Sequence, residues 1–378
     1  MLLRRLDLTD VRSYARALVE FEPGVTLLIG PNAHGKTNLL EAVHRLAVGV
    51  SHRVSSDVPL IRRGAEAAYL RAEVETDGGR RRTVELELAT GRPNRARVDG
   101  QQARRTADAI GVVRAVMFAP EDVALVRGDP GERRRFLDDL LSQRRPAYAA
   151  ARGEYERVLR QRNRLLRSAR GRAGPLPTLD VWSQQLVDQA TTLTAARMAA
   201  VHALGEPARR AYAQLAGQPE PIALAYRSSA GVVLAADDPA GVPERALLAT
   251  TIRDAVASAA AEERARGVTL IGPHRDDLEL EVRGLPARGY ASHGQVWSLA
   301  LALRLAARDV LAEVGDRPIL LLDDVFAELD GDRRQRLAVA CGGWEQVVVT
   351  AAVEDDVPLR GVTFDVRMGD DVSAVSRR

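Results

Sequence analysis

The chain of 378 residues contains one cysteine, one lysine and only 4% aromatic residues. The single cysteine, Cys341, excludes an internal disulfide and any metal site built from several cysteines. No stretch approaches the roughly 18 consecutive apolar residues that a membrane-spanning helix needs, so no membrane partner is expected. Charged residues within Met1–Asp7 lie where a secretory leader requires apolar ones. The sequence therefore predicts a cytoplasmic protein.

Charge is abundant but nearly balanced, with 54 Lys plus Arg against 51 Asp plus Glu and a net charge of +3. Arginines nevertheless cluster at Arg80–Arg82, Arg104–Arg105 and along the series from Arg160 to Arg172, and such clusters are candidate contacts for a nucleic acid. Because few aromatic side chains are available to stack on bases, we expect phosphate contacts that are sequence-independent and salt-sensitive. Alternatively, the clusters form solvated faces in an arginine-biased composition.

The clearest motif is the G-P-N-A-H-G-K-T segment at Gly30–Thr37, which matches the phosphate-binding P-loop. It follows Val25–Ile29, an apolar run typical of a buried strand, and precedes Asn38–Leu46, whose apolar residues have helical spacing. In such a loop, backbone N–H groups and the positive end of the helix dipole hold a polyphosphate. The predicted nucleotide-binding residues here are Gly30, Pro31, Asn32, Ala33, His34, Gly35, Lys36 and Thr37.

The only lysine of the chain, Lys36, occupies the lysine position of this motif. A compact ammonium on a flexible stem suits that position, and a planar guanidinium is a poor substitute. We predict that Lys36 reaches the β- and γ-phosphates of a nucleotide and that the Thr37 hydroxyl binds Mg²⁺. The alternative, a glycine turn that happens to lie near a cation, is disfavoured by the agreement of motif and context.

A second element ends in two acids. Pro318–Leu322 is an apolar run that predicts a strand, and Asp323 and Asp324 follow it. Beside the P-loop strand, such a strand delivers a carboxylate to the edge of the sheet where ligands bind in open α/β folds. We predict that Asp323 binds Mg²⁺, directly or through water, and that Asp324 orients or activates the attacking water. Without the P-loop, a capping role would be an equally good interpretation.

The loop Ala291–Gln295 opens a predicted helix at Val296–Val314, and a helix N-terminus of this kind suits an anion. Considered alone, the loop is better explained by Ser292 acting as an ordinary helix cap. By the same reasoning, His293 is interpreted as a loop histidine rather than a catalyst.

The remaining pattern divides the chain into an α/β part at 1–119 and 262–378 and a helical insertion at 120–261. Within the insertion, Gly131–Arg170 and Asp180–Leu215 predict two long antiparallel helices. Pro146 is expected to kink or split the first, and Gly171–Pro177 is the predicted break between them. The other predicted elements are a helix at Thr251–Arg266 and strands at Leu2–Leu8, Ala17–Phe21, Tyr69–Glu75, Thr83–Leu88, Val112–Phe118, Ile222–Tyr226, Gly267–Gly272 and Gln346–Thr350.

Together these residues resemble the ATPase heads of ABC and SMC proteins, and specifically the RecF family of bacterial recombination-repair proteins. Ser292–Gln295 is similar to the ABC signature and Glu328–Asp330 to the D-loop. The insertion is far too short for the coiled-coil arms of SMC proteins. The further segments that carry the resemblance are Val11–Tyr14, Ser51–Arg53, Phe118–Asp122, Arg133–Asp138, Gln161–Leu166 and Gly272–Leu278.

The resemblance implies an α/β fold, an ABC/SMC-type P-loop ATPase head with an inserted helical lobe. It implies that two copies sandwich ATP, with Lys36 and Thr37 of one copy facing Ser292, Gly294 and Gln295 of the other, and with Asp330 at the same nucleotide. The implied function is ATP-dependent DNA binding in recombinational repair, at gaps or stalled forks. The homodimer would clamp DNA, hydrolyse ATP slowly when stimulated by DNA, and help load recombinase with RecO- and RecR-type mediators. Links to replication and the SOS response and a nucleoid location are also implied.

Three positions depart from the ABC-transporter pattern. Asp324 stands where those proteins usually have Glu, Thr350 stands at the place of their switch histidine, and no Q-loop glutamine is recognisable. The catalytic base and the sensor of the γ-phosphate therefore stay open. The alternatives are a transporter ATPase subunit, a small-molecule kinase, a clamp that binds ATP without turnover, or another SMC-like or ABC-type ATPase subunit not dedicated to DNA.

Overall fold

The computed structural model of the chain describes residues 1–54, 56–169, 177–217 and 220–378. In chain order its strands are β1 (Leu2–Val11), β2 (Tyr14–Glu20), β3 (Gly24–Ile29), β4 (Ala67–Glu75), β5 (Arg81–Ala89), β6 (Arg95–Val98), β7 (Gln101–Gln102), β8 (Ala115–Phe118), β9 (Ile222–Arg227), β10 (Val233–Ala235), β11 (Asp277–Val282), β12 (Leu285–Pro286), β13 (Ile319–Leu322), β14 (Gln346–Ala351), β15 (Val362–Gly369) and β16 (Val372–Arg377).

The α-helices, in chain order, are α1 (Lys36–Val48), α2 (Ala124–Arg127), α3 (Pro130–Arg144), α4 (Pro146–Ser168), α5 (Pro177–Ala216), α6 (Arg245–Arg266), α7 (Ala287–Tyr290), α8 (His293–Ala312) and α9 (Gly331–Cys341). Within the described residues, no helix combines the length and the apolar character that a bilayer crossing requires.

The chain packs into two compact units. The first unit comprises Met1–Asp122, Ala211–Gln218 and Leu301–Arg378, and the second comprises Val123–Arg210 and Pro219–Ala300. The second unit thus includes residues 262–300, which the sequence pattern groups with the α/β part. The assignment of residues to functional domains stays a prediction.

The central sheet of the first unit has the strand order β16-β15-β3-β14-β13-β8. All its pairs are parallel except β15 with β16. The residues Ile319–Leu322 of β13 and all of β14 are buried, as expected for parallel strands covered on both faces. Because parallel strands end at the same edge, the loops that follow β3 and β13 emerge together there.

A second sheet of the first unit, with the order β2-β1-β4-β5-β6-β7, is antiparallel throughout. One of its faces, α1 and the central sheet share a single apolar core, to which Leu6, Leu70, Leu40, Val43 and Leu321 belong. Each leucine buried there contributes about 2 kcal/mol. This core holds the start of α1 against the end of β3, which is the geometry that the P-loop needs.

The second unit is built around α4 and α5, which run antiparallel, as predicted. Arg162 near the end of α4 bonds Ser183 near the start of α5, whereas Tyr148 near the start of α4 bonds Arg197 further along α5. The predicted split at Pro146 is also confirmed, because α3 ends at Arg144 and Pro146 opens α4, where its missing N–H costs nothing. Most of the predicted break at 171–177 lies outside the described residues.

Two predicted strands differ from the structure. The strand predicted at Gly267–Gly272 is wrong, since this segment pairs with no strand in the described part of the chain and the next strand begins at Asp277. Side chains bond its backbone instead: the Thr269 and Leu270 N–H groups donate to the side chains of Asn163 and Glu263. The strand predicted at Val112–Phe118 is shorter, and only Ala115–Phe118 pairs with β13.

Candidate nucleotide-binding site

The P-loop takes its shape at two glycines. A Cβ on Gly30 would lie 2.0 Å from the carbonyl oxygen of Val366, and one on Gly35 would lie 2.6 Å from Ser373 Oγ. Gly35 also has a φ of 105°, which side chains disfavour. Both positions therefore require glycine, and the loop packs directly on β15 and β16.

The Lys36 side chain folds back over this loop. Its Nζ donates to the carbonyl oxygens of Gly30 at 2.8 Å and Pro31 at 3.1 Å, and to Asn32 Oδ1 at 3.3 Å. Within the described residues, no carboxylate pairs with this buried ammonium. A buried cation that is bonded only to neutral acceptors is suited to receive an anion.

The N-terminus of α1 is open to a ligand as well. Gly35 is the N-cap residue and offers no side chain to bond the first N–H groups of the helix. Those groups have no partner within the helix, and the dipole adds partial positive charge to them. The loop and α1 therefore fit a phosphate group.

Asp323 lies next to the first turn of α1 in the folded chain. Its Oδ1 accepts hydrogen bonds from Thr37 Oγ1 at 3.0 Å and from Thr350 Oγ1 at 2.7 Å. The sequence pattern predicts Thr37 and Asp323 as the metal pair, and the fold brings them together. Mg²⁺ usually takes one or two protein oxygens together with phosphate oxygens and water, so this hydroxyl and carboxylate suit it.

The Asp323 carboxylate carries charge that the protein does not neutralise. Burial raises its pKa to about 6, and the nearby charges of Asp324 and Glu121 act in the same direction. The hydrogen bonds from the two threonines oppose this rise only in part. A divalent cation at this carboxylate would offset both the burial and the repulsion, which is a second reason why the residues present fit Mg²⁺.

Asp324 adopts a left-handed conformation with φ of 48°, which is uncommon for residues other than glycine. Its N–H donates to Thr350 Oγ1 at 2.8 Å, and the residue lines the same cleft as Lys36 and Thr37. Uncommon backbone conformations of this kind are concentrated at functional sites. The geometry is compatible with the predicted role of Asp324 near an attacking water, and that role stays a prediction.

The cleft in front of the P-loop has a volume of about 740 Å³, which is enough for a nucleotide. Arg12, Arg53 and Arg63 contribute positive charge to its wall. Arg12 is fixed by a bidentate pair with buried Glu41, at 2.7 and 2.8 Å, and Arg53 bonds Asn38 at 3.2 Å. The sequence pattern marks the segments around Arg12 and Arg53 only through the resemblance.

One detail of the prediction is corrected by the sheet order. The strand that ends at Asp323 is not beside the P-loop strand, because β14 lies between β3 and β13. Thr350 on β14 fills the position between the two, and its hydroxyl contacts both aspartates. The residue that stands at the place of a switch histidine thus orients the acidic pair.

The predicted signature residues begin α8 of the second unit. The Ser292 N–H donates to Gln295 Oε1 at 2.8 Å and the Gln295 N–H to Ser292 Oγ at 3.3 Å, a reciprocal cap. Gln295 Nε2 also donates to Glu220 at 3.0 Å, and Gly294 lies within the first turn. The capping interpretation of Ser292 is therefore confirmed, and its contact with a nucleotide stays a prediction.

Asp330 begins α9 of the first unit, where its carboxylate accepts from the Arg333 N–H at 2.9 Å and from the Arg333 guanidinium at 2.7 Å. It is the N-cap of that helix. Its predicted place beside a nucleotide is not tested by these contacts.

Residues 2–370 match the RecF/RecN/SMC N-terminal domain family. A protein of Streptomyces avermitilis described as DNA replication and repair protein RecF is 52% identical over 377 residues, which cover 98% of this chain and 99% of that protein. The chain belongs to the RecF family.

Solved structures agree with this RecF assignment. The structures of the recombination mediator protein RecF-ATPrS and of RecF-ATP in the RecFOR pathway match with TM-scores of 0.89 and 0.86, each at 27% identity. Both matches cover 100% of this chain, and 98% and 99% of the respective structures. An SMC head bound to the C-winged helix domain of ScpA shares the fold, with a TM-score of 0.54 at 16% identity over 100% of this chain and 98% of that one. The predicted fold class, an ABC/SMC-type α/β ATPase head with helical insertion, is confirmed.

The RecF-like segments of the second unit form a buried polar core. Arg162 and Glu263 are 2% and 0% exposed and lie 2.6 Å apart. Arg197 pairs with Asp138 at 2.8 Å. Asp276 accepts from Tyr226 at 2.7 Å, and burial lowers the pKa of His274 to about 4. These segments therefore hold the second unit together.

The same contacts correct the list of candidate DNA contacts. Arg162 belongs to the predicted series from Arg160 to Arg172 but is buried and cannot reach DNA. Arg81 and Arg82 are paired with Glu73 and Asp99, at 3.0 and 2.9 Å, which reduces the positive charge of that cluster. Arg104 and Arg105 are exposed. Arg170 and Arg172 lie outside the described residues.

Proposed function

We propose that this chain is an ATP-dependent DNA-binding protein of recombinational DNA repair, in which ATP joins two copies around DNA. One observation carries the nucleotide part: the Thr37 hydroxyl contacts the Asp323 carboxylate at 3.0 Å beside the buried ammonium of Lys36. The RecF relatives support the rest, since one is described as a DNA replication and repair protein and two as recombination mediators carrying ATP or ATPrS.

The P-loop residues Gly30–Thr37 hold the polyphosphate through backbone N–H groups, and Lys36 turns from the loop carbonyls to the β- and γ-phosphates. Thr37 and Asp323 bind Mg²⁺, which when bound neutralises charge on those phosphates. Asp324 orients the attacking water, and Thr350 keeps both aspartates in place. Within the described residues, this is an acidic pair without a histidine, which fits weak hydrolysis.

Dimerisation follows from linkage. ATP that touches both copies binds the dimer better than the monomer and shifts the equilibrium towards the dimer. We propose that Ser292, Gly294 and Gln295 of one copy complete the pocket of the other, with Asp330 at the same interface. Loss of the γ-phosphate on hydrolysis then loosens the clamp.

In this proposal residues 1–119 and 262–378 act as the ATPase head and residues 120–261 as the helical lobe. Exposed arginines such as Arg104 and Arg105 contact DNA phosphates at gaps or stalled forks without regard to sequence. DNA stimulates a weak hydrolysis of ATP. RecO- and RecR-type mediators act with the clamp to load recombinase in the nucleoid, which connects the protein to replication and to the SOS response.

A mixing experiment tests the shared pocket. Lys36→Ala removes the ammonium that would bind phosphate in the P-loop of one copy. Ser292→Arg places a bulky side chain in the signature segment of the other copy. Each variant alone should release phosphate at less than about a tenth of the wild-type rate in the presence of DNA. Mixed, they form heterodimers in which one pocket pairs an intact P-loop with an intact signature, so activity should return to a fraction of the wild-type rate.

Two controls are needed to interpret the mixing experiment. A variant carrying both Lys36→Ala and Ser292→Arg in one chain, mixed with either single variant, leaves no intact pocket and should stay inactive. If mixing the two single variants restores nothing, although each unfolds at the wild-type temperature and Ser292→Arg still binds ATP, the signature does not act across the interface.

A further inference from the structure

The hairpin formed by β15 and β16 is fastened to the P-loop. Ser373 Oγ donates to the His34 carbonyl oxygen at 2.8 Å and lies 2.6 Å from Ser13 Oγ. The Met368 N–H donates to His34 Nδ1 at 3.1 Å. The position of the hairpin tip is therefore set by the phosphate-binding loop itself.

The tip is a two-residue turn between the paired residues Gly369 and Val372. Its central residues, Asp370 and Asp371, have φ of 49° and 60°. Positive φ at both central positions defines the turn whose twist matches the flanking strands. Aspartate tolerates this conformation better than most residues, so the turn has a defined shape.

Asp371 lines the nucleotide cleft together with Lys36, Thr37 and Arg12. Its side chain is exposed and, among the described residues, forms no hydrogen bond or ion pair. The neighbouring Asp370 is equally exposed but does not line the cleft. Of these two adjacent aspartates, only Asp371 lines the cleft.

A free carboxylate in a polyanion site repels phosphate and is useful only where the ligand presents hydrogen-bond donors. Asp371 lies in the turn, two residues before the Ser373 that contacts the loop. It is therefore offset from the backbone groups that hold phosphates. The donors of a nucleotide beyond its phosphates are the two ribose hydroxyls and the amine of the base, and adjacent hydroxyls suit the two oxygens of a carboxylate.

We infer that Asp371 accepts hydrogen bonds from the 2′- and 3′-hydroxyls of the nucleotide and makes the site selective for ribonucleotides. Carboxylates read ribose hydroxyls in the same way in dinucleotide-binding folds. The inference rests on the proposed function, since it requires that ATP occupies this cleft. It assigns to the C-terminal hairpin a direct part in ligand choice.

The test measures the Kd of ATP, 2′-deoxyATP, 3′-deoxyATP and inosine triphosphate by calorimetry, in the presence of Mg²⁺. The wild type should bind each deoxy analogue about tenfold more weakly than ATP, as expected for the loss of a hydrogen bond to a charged group. Asp371→Gly, which adopts the same φ without strain, should bind ATP and both deoxy analogues with equal Kd. Asp370→Gly, the matched control in the same turn, should keep the wild-type ratio.

Each other outcome overturns either the ribose assignment or the proposed function. Equal Kd values for ATP and both deoxy analogues in the wild type, or an unchanged ratio in Asp371→Gly, would overturn the ribose assignment while leaving nucleotide binding intact. If inosine triphosphate alone binds weakly, and the difference disappears in Asp371→Gly, the carboxylate reads the base amine and the ribose assignment is wrong. If ATP binds the wild type and Lys36→Ala equally, the proposed function fails, and the inference fails with it.

Discussion

The nucleotide cleft of the first unit and the polar core of the second unit use the same charged residue types in opposite ways. In the core, Arg162 meets Glu263 and Arg197 meets Asp138, each as a buried pair with additional hydrogen bonds. In the cleft, Lys36 has only neutral acceptors and Asp371 has no partner among the described residues. Paired charges specify structure, and unpaired charges leave a place for a ligand.

The difference between paired and unpaired charges distinguishes structural from ligand-binding segments, although the sequence resemblance includes both. The segments Gln161–Leu166 and Gly272–Leu278 carry the resemblance together with the P-loop, yet Arg162 and Asp276 within them are buried. A buried charge must find its partner within the chain, because an unpaired one costs several kcal/mol. A charged side chain in the cleft can instead be paired by a charged group of the bound substrate.

The largest effect is expected from breaking a core pair. Arg162→Met leaves the Glu263 carboxylate buried without its cation and should lower the free energy of unfolding by about 3–5 kcal/mol. Chemical denaturation measures this. The Kd of ATP for the remaining folded protein should be unchanged.

Arg266→Met is the matched control, because Arg266 and Glu262 form an exposed pair on the same helix α6. It should change the free energy of unfolding by less than about 1 kcal/mol. Equal losses in the two variants would mean that burial does not distinguish the core pair. A large loss of ATP affinity in Arg162→Met would mean that the core pair serves the nucleotide as well.

A substitution in the cleft, Asp323→Asn, is expected to raise the free energy of unfolding, by no more than the loss expected for Arg162→Met. The pKa of Asp323 is raised to about 6 in the folded protein, above its ordinary value of 3.8, so folding disfavours the ionised carboxylate. The resulting loss of stability is complete above about pH 7, where the folded carboxylate is fully ionised, and fades as the pH falls through 6 towards 4. In nucleotide- and Mg²⁺-free buffer, Asp323→Asn should therefore raise the free energy of unfolding by about 3 kcal/mol at pH 7.5, and by about 1 kcal/mol at pH 4.5.

Asp355→Asn, at an exposed position of the same unit, should have no effect at either pH. Asp323→Asn should at the same time abolish Mg²⁺-dependent ATP hydrolysis. A variant that is less stable than the wild type at pH 7.5 would show that the carboxylate is compensated within the chain, and the contrast between cleft and core would not hold.

The sequence predicts the parts of the site that are contiguous in the chain. Gly30–Thr37 needs only its own strand, loop and helix, and Asp323 only an apolar strand before it, so local patterns suffice. Local sequence patterns do not predict the contacts of Thr350 with the two aspartates. Those contacts depend on β14 lying between β3 and β13, and sheet order is not a local property. The position of Asp371 at the cleft is not predicted for the same reason, although alternating apolar residues around a Gly-Asp-Asp turn are a hairpin signal.

Local pattern also contained the information that Arg162 is buried. Tyr155, Val158, Arg162 and Leu166 lie on one face of a helix by their spacing, and three of the four are apolar or aromatic. An arginine on such a stripe is expected to be paired inside the protein. What the sequence alone could not supply was the partner, because Glu263 lies 101 residues further along the chain.

Sedimentation velocity of the wild type with ATP and Mg²⁺, compared with the nucleotide-free protein and with Lys36→Ala, tests the central claim most directly. The account predicts that the wild type sediments as a monomer without nucleotide and as a dimer with ATP, and that Lys36→Ala stays monomeric in both. A wild type that stays monomeric at saturating ATP would contradict it.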